Sequence, residues 1–289
     1  MNAPRRDPEG GVVLINVLVM IALASTVVYL MLSEQETSLS RVARMSDAVQ
    51  AQNLALGAEA SVLDALRADL DTAPDTDHFG EPWTRVIQEE VTLGTGRFSV
   101  DVTDLQAKYD IHLLAGPGVG QVELMSRLLQ SVDQPPELAP RMAAIVRRVS
   151  ELQSINDLRF YGIPDPTIKA IAPYVAALPP SGQLPRTVNL NTAPPLLLEA
   201  LFKNQSYALR LESIRQQTGE ITRANLDGIG AIRPENTNWT SGLYDVAIMA
   251  EVGDARVRLV SRLVRQNDLG GKSVSVLTRR FMSDAPPQD

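Results

Sequence analysis

The sequence predicts an α+β fold built from a long N-terminal helix, an antiparallel sheet and a large all-α block inserted between the strands. An uncharged apolar run near the N-terminus passes into an amphipathic pattern, which predicts the helix. Alternating and β-branched runs lie on both sides of a proline-rich helical region, which predicts the sheet and its insertion. This order of elements is typical of an α/β domain that carries a helical insertion.

The apolar run extends from Val12 to Leu32 and contains no charged residue. Only Asn16, Ser25 and Thr26 within it are neither aliphatic nor aromatic. A helix of this length spans roughly 30 Å, which is the thickness of the hydrocarbon core of a bilayer. Residues 12–32 are therefore predicted to form a transmembrane helix.

A cleaved secretory signal is the alternative interpretation of this segment. Arg5 and Arg6 precede the run, and the triplet Ala22-Leu23-Ala24 has the small-x-small form of a cleavage site. The apolar run nevertheless continues through Val27–Leu32, which makes it longer than a usual signal-peptide core. The pattern therefore favours a retained membrane helix.

Beyond Leu32 the apolar residues recur mostly every three or four positions. This spacing predicts one continuous helix of roughly 55 to 60 residues, half in lipid and half packed on a domain. Small residues between Ala48 and Ala58 suit close packing, whereas a sustained heptad for a coiled coil is missing. The apolar positions are Leu39, Val42, Met45, Val49, Leu54, Ala58, Val62, Leu66 and Leu70.

Strands are predicted before and after the helical block. Arg97–Val102 alternates between apolar and polar residues, and Tyr244–Val252 and Val257–Val264 are rich in β-branched residues. Gly253-Asp254 between the last two runs is a hairpin signal. A further strand is predicted at Val274–Leu277.

The intervening block, residues 122–235, is helix-like and repeatedly broken by proline. Asn191 or Thr192 is placed to cap the helix that begins near Pro195. The predicted helices are Leu124–Val132, Leu138–Val149, Ile168–Leu178, Pro195–Phe202 and Ala208–Gln217.

Three stretches of this block resemble helix-hairpin-helix units: Ser154–Gly162, Val188–Pro195 and Leu226–Gly230. Such units often bind the DNA backbone through the amides of a glycine hairpin. Between Asp133 and Ile232 the chain has ten Lys/Arg and nine Asp/Glu, whereas a phosphate-binding module needs a basic excess. The near-neutral balance favours a structural scaffold, and the formal net charge of -7 for the whole chain points the same way.

The composition excludes several chemistries. The chain has no cysteine, so it has neither a disulfide nor a thiol nucleophile, and two histidines make a zinc cluster unlikely to form. Spacing gives His78 and His112 no evident carboxylate partner, and His112 is interpreted as a strand-end residue. No Walker or nucleophile-elbow motif is present, so we expect no catalytic residues and no cofactor.

An acidic run follows the long helix and offers the one candidate cation site. Calcium binds six to eight oxygen ligands, usually on a loop with a turn glycine. The run lacks a glycine at the expected place and contains Pro74, so the pattern favours a solvated loop over a metal site. Its members are Asp69, Asp71, Asp75, Asp77 and Glu81.

A glycine directly before an apolar helix that becomes amphipathic resembles the N-terminus of type IV pilins and pseudopilins. The resemblance implies cleavage by a prepilin peptidase after Gly11, with Val12 as the mature N-terminus. Asn16 is then the fifth mature residue, where the class commonly has a glutamate that pairs with the terminal ammonium of a neighbour. Asparagine cannot supply that charge.

Segments further along the chain, in their order, resemble the K-type minor pseudopilin family of the type II secretion system, which also lacks that glutamate. The resemblance implies a leader at 1–11, the transmembrane helix at 12–32, and a pilin-like α/β domain at 33–121 and 236–281. The insertion occupies 122–235, and 282–289 form a flexible tail. The matching segments are Gln50–Ala60, Glu81–Trp83, Gly96–Val100, Asp104–Leu114, Ser154–Leu158 and Val188–Ala193.

The family resemblance also implies a function. Its members initiate and cap the periplasmic pseudopilus, with the I- and J-type minor pseudopilins, the major pseudopilin, the prepilin peptidase and the inner membrane as partners. The family commonly binds calcium in the insertion, but the corresponding stretch here, Arg147–Gln153, has one acid, Glu151, so we expect that site to be lost. A membrane-anchored DNA receptor with helix-hairpin-helix units is the rival interpretation.

Overall fold

The computed structural model describes residues 9–94, 96–149, 152–179, 185–268 and 271–283. Most of the predicted leader and residues 284–289 of the predicted tail lie outside the described residues. Glu151 lies outside them as well, so the loss of the family's calcium loop stays a prediction. The predicted α+β class is confirmed, with a long N-terminal helix, an antiparallel sheet and a helical block.

The elements are numbered here in chain order. The helices are α1 (Glu9–Thr72), α2 (Val119–Ser131), α3 (Leu138–Val149), α4 (Asp165–Ile171), α5 (Pro195–Phe202), α6 (Gln205–Thr218) and α7 (Arg223–Ile229). The strands are β1 (Gln88–Leu93), β2 (Gly96–Asp104), β3 (Tyr109–Asp110), β4 (Val175–Ala176), β5 (Val188–Asn189), β6 (Thr237–Asn238), β7 (Leu243–Val252), β8 (Ala255–Asp268) and β9 (Gly271–Ser283).

The N-terminal helix α1 is a single unbroken helix of 64 residues. Its side chains are exposed from Val13 to Met45, whereas one face is buried from Ala51 to Leu70. Among the described residues it is the one helix long and apolar enough to cross a membrane. The two halves of α1 therefore have different surroundings, as the change in periodicity predicts.

The sheet has five antiparallel strands in the order β1-β2-β7-β8-β9. The predicted hairpin joins β7 to β8 at Gly253, whose φ of +55° suits a residue without a side chain. Strand β9 is longer than the predicted Val274–Leu277, because its second half carries exposed and charged residues that give a weak apolar pattern. The sheet completes a layer onto which α1 packs.

The inner face of the sheet packs against the C-terminal half of α1. Ala55 and Ala58 let the helix approach closely, and Leu66 fills the layer beside Ile248 and Leu259. A polar contact fixes the register: the buried carboxylate of Glu59 accepts hydrogen bonds from Ser261 on β8 and Arg279 on β9. The helix is thus held to the last strands of the chain by both apolar and charged groups.

The helical block has its own, larger apolar core. It contains buried residues of α2, α3, α5, α6 and α7, and also Tyr109, Ile111 and Leu114, which precede residue 122. The short strands β3 and β4 pair in parallel and close this core beside the sheet. The two largest apolar cores are therefore separate, one under α1 and one in the helical block. We call the sheet, the packed half of α1 and the helical block together the head of the molecule.

The predicted helix Ile168–Leu178 is wrong in its second half. Helix α4 ends at Ile171, and the chain then runs into β4. Pro173 has no amide to donate to the carbonyl four residues earlier, so the helix cannot continue past Ala172, which is itself still helical in conformation. The apolar residues after Pro173 pack as an extended segment, and their spacing over so short a distance does not separate helix from strand.

Candidate functional site

The predicted processing and assembly residues lie at the start of α1. The Gly11–Val12 peptide bond falls in the first turn of the described helix, and Asn16 is exposed one turn further on. Helical glycine costs about 1 kcal/mol relative to alanine, so Gly10 and Gly11 make this turn easy to unwind.

An apolar stripe continues along α1 beyond the predicted membrane segment. Leu39, Val42, Met45 and Val49 are all more than half exposed. They lie at intervals of three and four residues, so they share one side of the helix. Large exposed apolar surfaces on a soluble segment mark contacts with other chains, and this stripe suits packing against neighbouring helices.

The acidic run begins in the last turn of α1, and three of its residues form a buried cluster. Asp69 and Asp77 are fully buried and Glu81 is 4% exposed, with carboxylate oxygens of the three within 4.8 Å of one another. The prediction of a solvated loop is therefore wrong for these three residues. Asp75 is exposed in a turn after the helix, as predicted, whereas Asp71 is exposed but belongs to the last turn of α1.

The cluster surrounds the guanidinium of Arg265 from β8. Arg265 Nη1 lies 3.3 Å from Asp69 Oδ2 and also contacts Asp77 Oδ1. Asp77 Oδ2 accepts the backbone amide of Ser241 at 2.7 Å. Because Arg265 is far away in sequence, the acidic spacing alone could not show that these carboxylates would be buried.

Glu81 occupies the other side of the cluster. Its Oε2 accepts the indole Nε1 of Trp83 and the backbone amide of His78, each at 3.0 Å. Burial, reinforced by the negative charge of Asp69, raises the pKa of Glu81 to about 7. Burial also raises the pKa of Asp69, although Arg265 and His78 act in the opposite direction.

A second buried carboxylate joins the helical block to the sheet. Asp104, at the end of β2, accepts Thr192 Oγ1 at 2.5 Å, Ser241 Oγ at 2.6 Å and the backbone amide of Gln106 at 2.8 Å. Burial raises the pKa of Asp104 despite these hydrogen bonds. Asn189 extends the network by donating to the backbone oxygen of Asp77 at 2.9 Å.

The prediction that Asn191 or Thr192 caps the following helix is wrong. The capping residue of α5 is Pro194, and no side chain caps that helix. Thr192 instead donates to Asp104, and Asn191 Oδ1 accepts the amide of Ile221 at 2.6 Å. Consecutive prolines preset the first turn, which leaves the polar side chains free to form the junction.

Both histidines have carboxylate partners, contrary to the sequence prediction. His112 Nδ1 lies 2.7 Å from Asp110 Oδ1, and His78 Nε2 lies 3.5 Å from Glu81 Oε1. His112 lies in a 3-10 helix directly after β3, where the tight turn brings residues two apart into contact. Its Nε2 accepts the amide of Leu152 at 3.1 Å, so the ring links two segments of the chain.

Two of the helix-hairpin-helix-like stretches end in left-handed glycines. Gly162 has a φ of +78° and Gly230 a φ of +69°. At the first hairpin, Arg141 Nη2 donates to the backbone oxygen of Tyr161 at 3.1 Å, and Arg148 lies over the Tyr161 ring. Arg141 and Arg148, two arginines beside this hairpin that could bind a DNA phosphate, therefore both contact Tyr161 of the protein itself.

A helix whose exposed apolar half precedes a half packed on an antiparallel sheet is the arrangement of the pilin-like class, and the apolar half is compatible with a single-pass membrane anchor. No family model matches the chain. It is 25% identical to the type II secretion system protein K of Pseudomonas aeruginosa, covering 91% of each chain. For the same protein of Klebsiella pneumoniae the identity is 23%, covering 94% of this chain and 96% of the relative.

The fold is similar to a chain in the crystal structure of the GspK–GspI–GspJ complex from the enterotoxigenic Escherichia coli type 2 secretion system. The TM-score is 0.61 at 18% identity, covering 84% of this chain and all of that chain. The resemblance to the K-type minor pseudopilin family is therefore confirmed over about nine tenths of the sequence.

Proposed function

We propose that the protein is a minor pseudopilin at the tip of the type II secretion pseudopilus, where it initiates and caps the filament for protein export across the outer membrane. The observation that carries this proposal is the exposed apolar half of α1 on a chain similar throughout to the K proteins. That half of the helix provides the surface for the membrane first and for neighbouring helices later.

The shape of the head supports a terminal position. The helical block and the sheet each have a core of their own, so the head is much wider than α1. A wide head is difficult to place between stacked subunits but meets no obstacle at an end. Asn16 fits the same place, because a subunit with no neighbour above it needs no carboxylate for that neighbour's terminal ammonium.

The proposal also assigns processing, location and partners. The prepilin peptidase cuts after Gly11, Val12 becomes the mature terminus, and residues 12–32 hold the chain in the inner membrane with the C-terminal domain in the periplasm. The I- and J-type minor pseudopilins are the expected partners, as the complex that contains the structural relative includes GspI and GspJ. The major pseudopilin is the further expected partner and forms the filament shaft below these minor pseudopilins. On this proposal the protein acts by binding its partners and not by catalysis.

On this proposal the head divides as the sequence predicts. Residues 33–121 supply the remaining helix and first part of the pilin-like domain, although Tyr109, Ile111 and Leu114 contribute to the core of the insertion. Residues 122–235 form the insertion, and 236–281 the closing strands. The buried contacts of Asp104 with Thr192 and Ser241 support a rigid connection between insertion and sheet.

Labelling of isolated pseudopili tests the tip position. Gold-conjugated antibody against this protein should mark one end of each filament, because a single copy of the wide head caps it. Antibody against the major pseudopilin, applied to the same filaments, should mark the whole shaft. An even distribution of both labels along the shaft would remove the tip proposal.

The rival DNA receptor predicts tight duplex binding that weakens steeply with salt. We expect the full chain in detergent to show no such binding at low ionic strength, because the helical block is close to neutral and Arg141 and Arg148 are engaged internally. Fluorescence anisotropy of a labelled duplex measures this directly. Binding that falls by about 10³-fold or more between 50 and 200 mM salt would favour the receptor instead.

A further inference from the structure

The buried acidic cluster has an uncompensated charge. Asp69, Asp77 and Glu81 together contribute three negative charges when ionised, and Arg265 contributes one positive charge. A buried ion without a partner is strongly disfavoured in a medium of low dielectric constant. Two positive charges are needed to make the cluster neutral, and His78 at its rim could supply at most one.

Four of the six carboxylate oxygens of the cluster also lack a hydrogen-bond donor among the described residues. Within the described part of the chain, neither oxygen of fully buried Asp69 accepts a hydrogen bond. The same is true of Asp77 Oδ1 and Glu81 Oε1. Three of these four oxygens have only an ion-pair contact, Asp69 Oδ2 and Asp77 Oδ1 with the single guanidinium of Arg265 and Glu81 Oε1 with His78. Within the same described ranges, Asp69 Oδ1 has no contact of either kind. Native proteins pair almost all buried acceptors, so this buried group of oxygens points to a missing positive ligand.

We propose that Asp69, Asp77 and Glu81 bind a divalent cation, with Ca²⁺ as the ion whose chemistry fits best. Calcium prefers carboxylate oxygens in flexible arrangements, and three carboxylates can provide up to six of them. With Arg265 beside it, one divalent cation brings the net charge of the cluster to zero. This site is separate from Arg147–Gln153, where the family's calcium loop would lie.

The position of the site gives the ion a structural role. Asp69 lies near the C-terminal end of α1, Arg265 lies on β8, and Asp77 is bonded to Ser241, which precedes β7. Asp77 also contacts the helical block, because its backbone oxygen accepts a hydrogen bond from the side-chain amide of Asn189. A bound cation therefore joins the end of the filament helix to both parts of the head.

The two tryptophans of the chain provide a direct test, because both adjoin the cluster. Trp83 donates to Glu81, and the backbone oxygen of Trp239 accepts the amide of Asp77 at 2.9 Å. We expect Tb³⁺, a luminescent substitute for Ca²⁺, to emit when tryptophan is excited in the full chain in detergent. Added Ca²⁺ should displace it, and saturating Ca²⁺ should raise the Tm by about 5 °C over the value in EDTA.

Charge-removing variants locate the ion. Glu81→Gln and Asp69→Asn should each weaken Tb³⁺ binding at least tenfold and abolish the Ca²⁺-dependent rise in Tm. Their Tm in EDTA should equal or exceed that of the parent chain, since each removes a buried like charge. Asp75→Asn is the matched control, because Asp75 belongs to the same acidic run but is exposed, and it should behave as the parent does.

Two results would overturn the proposal. One is a parent chain whose Tm is the same in Ca²⁺ and EDTA and that sensitises no Tb³⁺ emission, which means that protons neutralise the cluster. The other is a calcium response that survives in both variants, which places the ion elsewhere. Neither result bears on the filament-tip function, which antibody labelling tests separately.

Discussion

Replacing Gly11 by valine is expected to leave the chain uncut and to stop secretion. On the proposed function, the peptidase must bind the residue before the scissile bond in an extended form, and a branched side chain displaces it. A displacement of about 1 Å in a catalytic complex lowers the rate roughly 100-fold. The uncut chain keeps Arg5 and Arg6 in front of its apolar segment, and charges there are costly in lipid or in a filament core.

Gly10→Val is the matched control, since it adds the same side chain one residue away and leaves Gly11 in place. Immunoblots should show the precursor for Gly11→Val and the shorter mature chain for Gly10→Val. Export of a secreted enzyme, measured as activity in the medium, should follow the same pattern. Normal processing of Gly11→Val would show that the cut lies elsewhere.

Replacing Asp110 by alanine is expected to destabilise the helical block by about 3–5 kcal/mol at neutral pH, because the change leaves buried donors unpaired. Asp110 Oδ1 accepts the backbone amides of His112 at 3.1 Å and Leu178 at 3.3 Å. Its Oδ2 pairs with the guanidinium of Arg186. Urea unfolding of the full chain in detergent measures the loss.

The loss of stability caused by Asp110→Ala should decrease as the pH is lowered. Burial opposes ionisation of Asp110, but the hydrogen bonds from His112 and Arg186 outweigh it and hold the pKa below its usual 3.8. A carboxyl with a lowered pKa stabilises the fold above its unfolded pKa, and the effect is lost as the pH falls through the folded value. The difference between parent and variant should therefore shrink below about pH 4.

Asp165→Ala provides the comparison for Asp110. Asp165 is 3.7 Å from Arg159, but both side chains are about half exposed, so its loss should cost less than about 1 kcal/mol. Equal losses for the two variants would mean that the buried contacts of Asp110 do not stabilise the helical block.

The sequence predicts those parts of the fold that depend on local patterns. The spacing of Leu54, Val62 and Leu66 is enough to place one face of α1 in a core, and the β7–β8 hairpin follows from alternation and a glycine turn. The long helix and the antiparallel sheet need no distant contacts for their prediction. The order of helices and strands then sets the fold class.

The polar junctions could not be predicted, because they are assembled from residues far apart in the chain. Asp69 and Asp77 have the composition of a solvated loop until Arg265, from a late strand, is placed beside them. Thr192 has the position of a helix cap, yet it donates to Asp104, 88 residues earlier. The one local signal that was available is Asp110-x-His112, a spacing that a 3-10 turn brings into contact.

The mature N-terminus tests the central claim most directly. Mass spectrometry of the protein purified from its native membrane should give a chain that begins at Val12, with or without a methyl group on the terminal amine. This result follows if the segment is trimmed and then used for assembly. A chain that begins at Ser25, or one that retains the residues before Val12, would contradict the account, because the first is a discarded signal and the second a plain anchor.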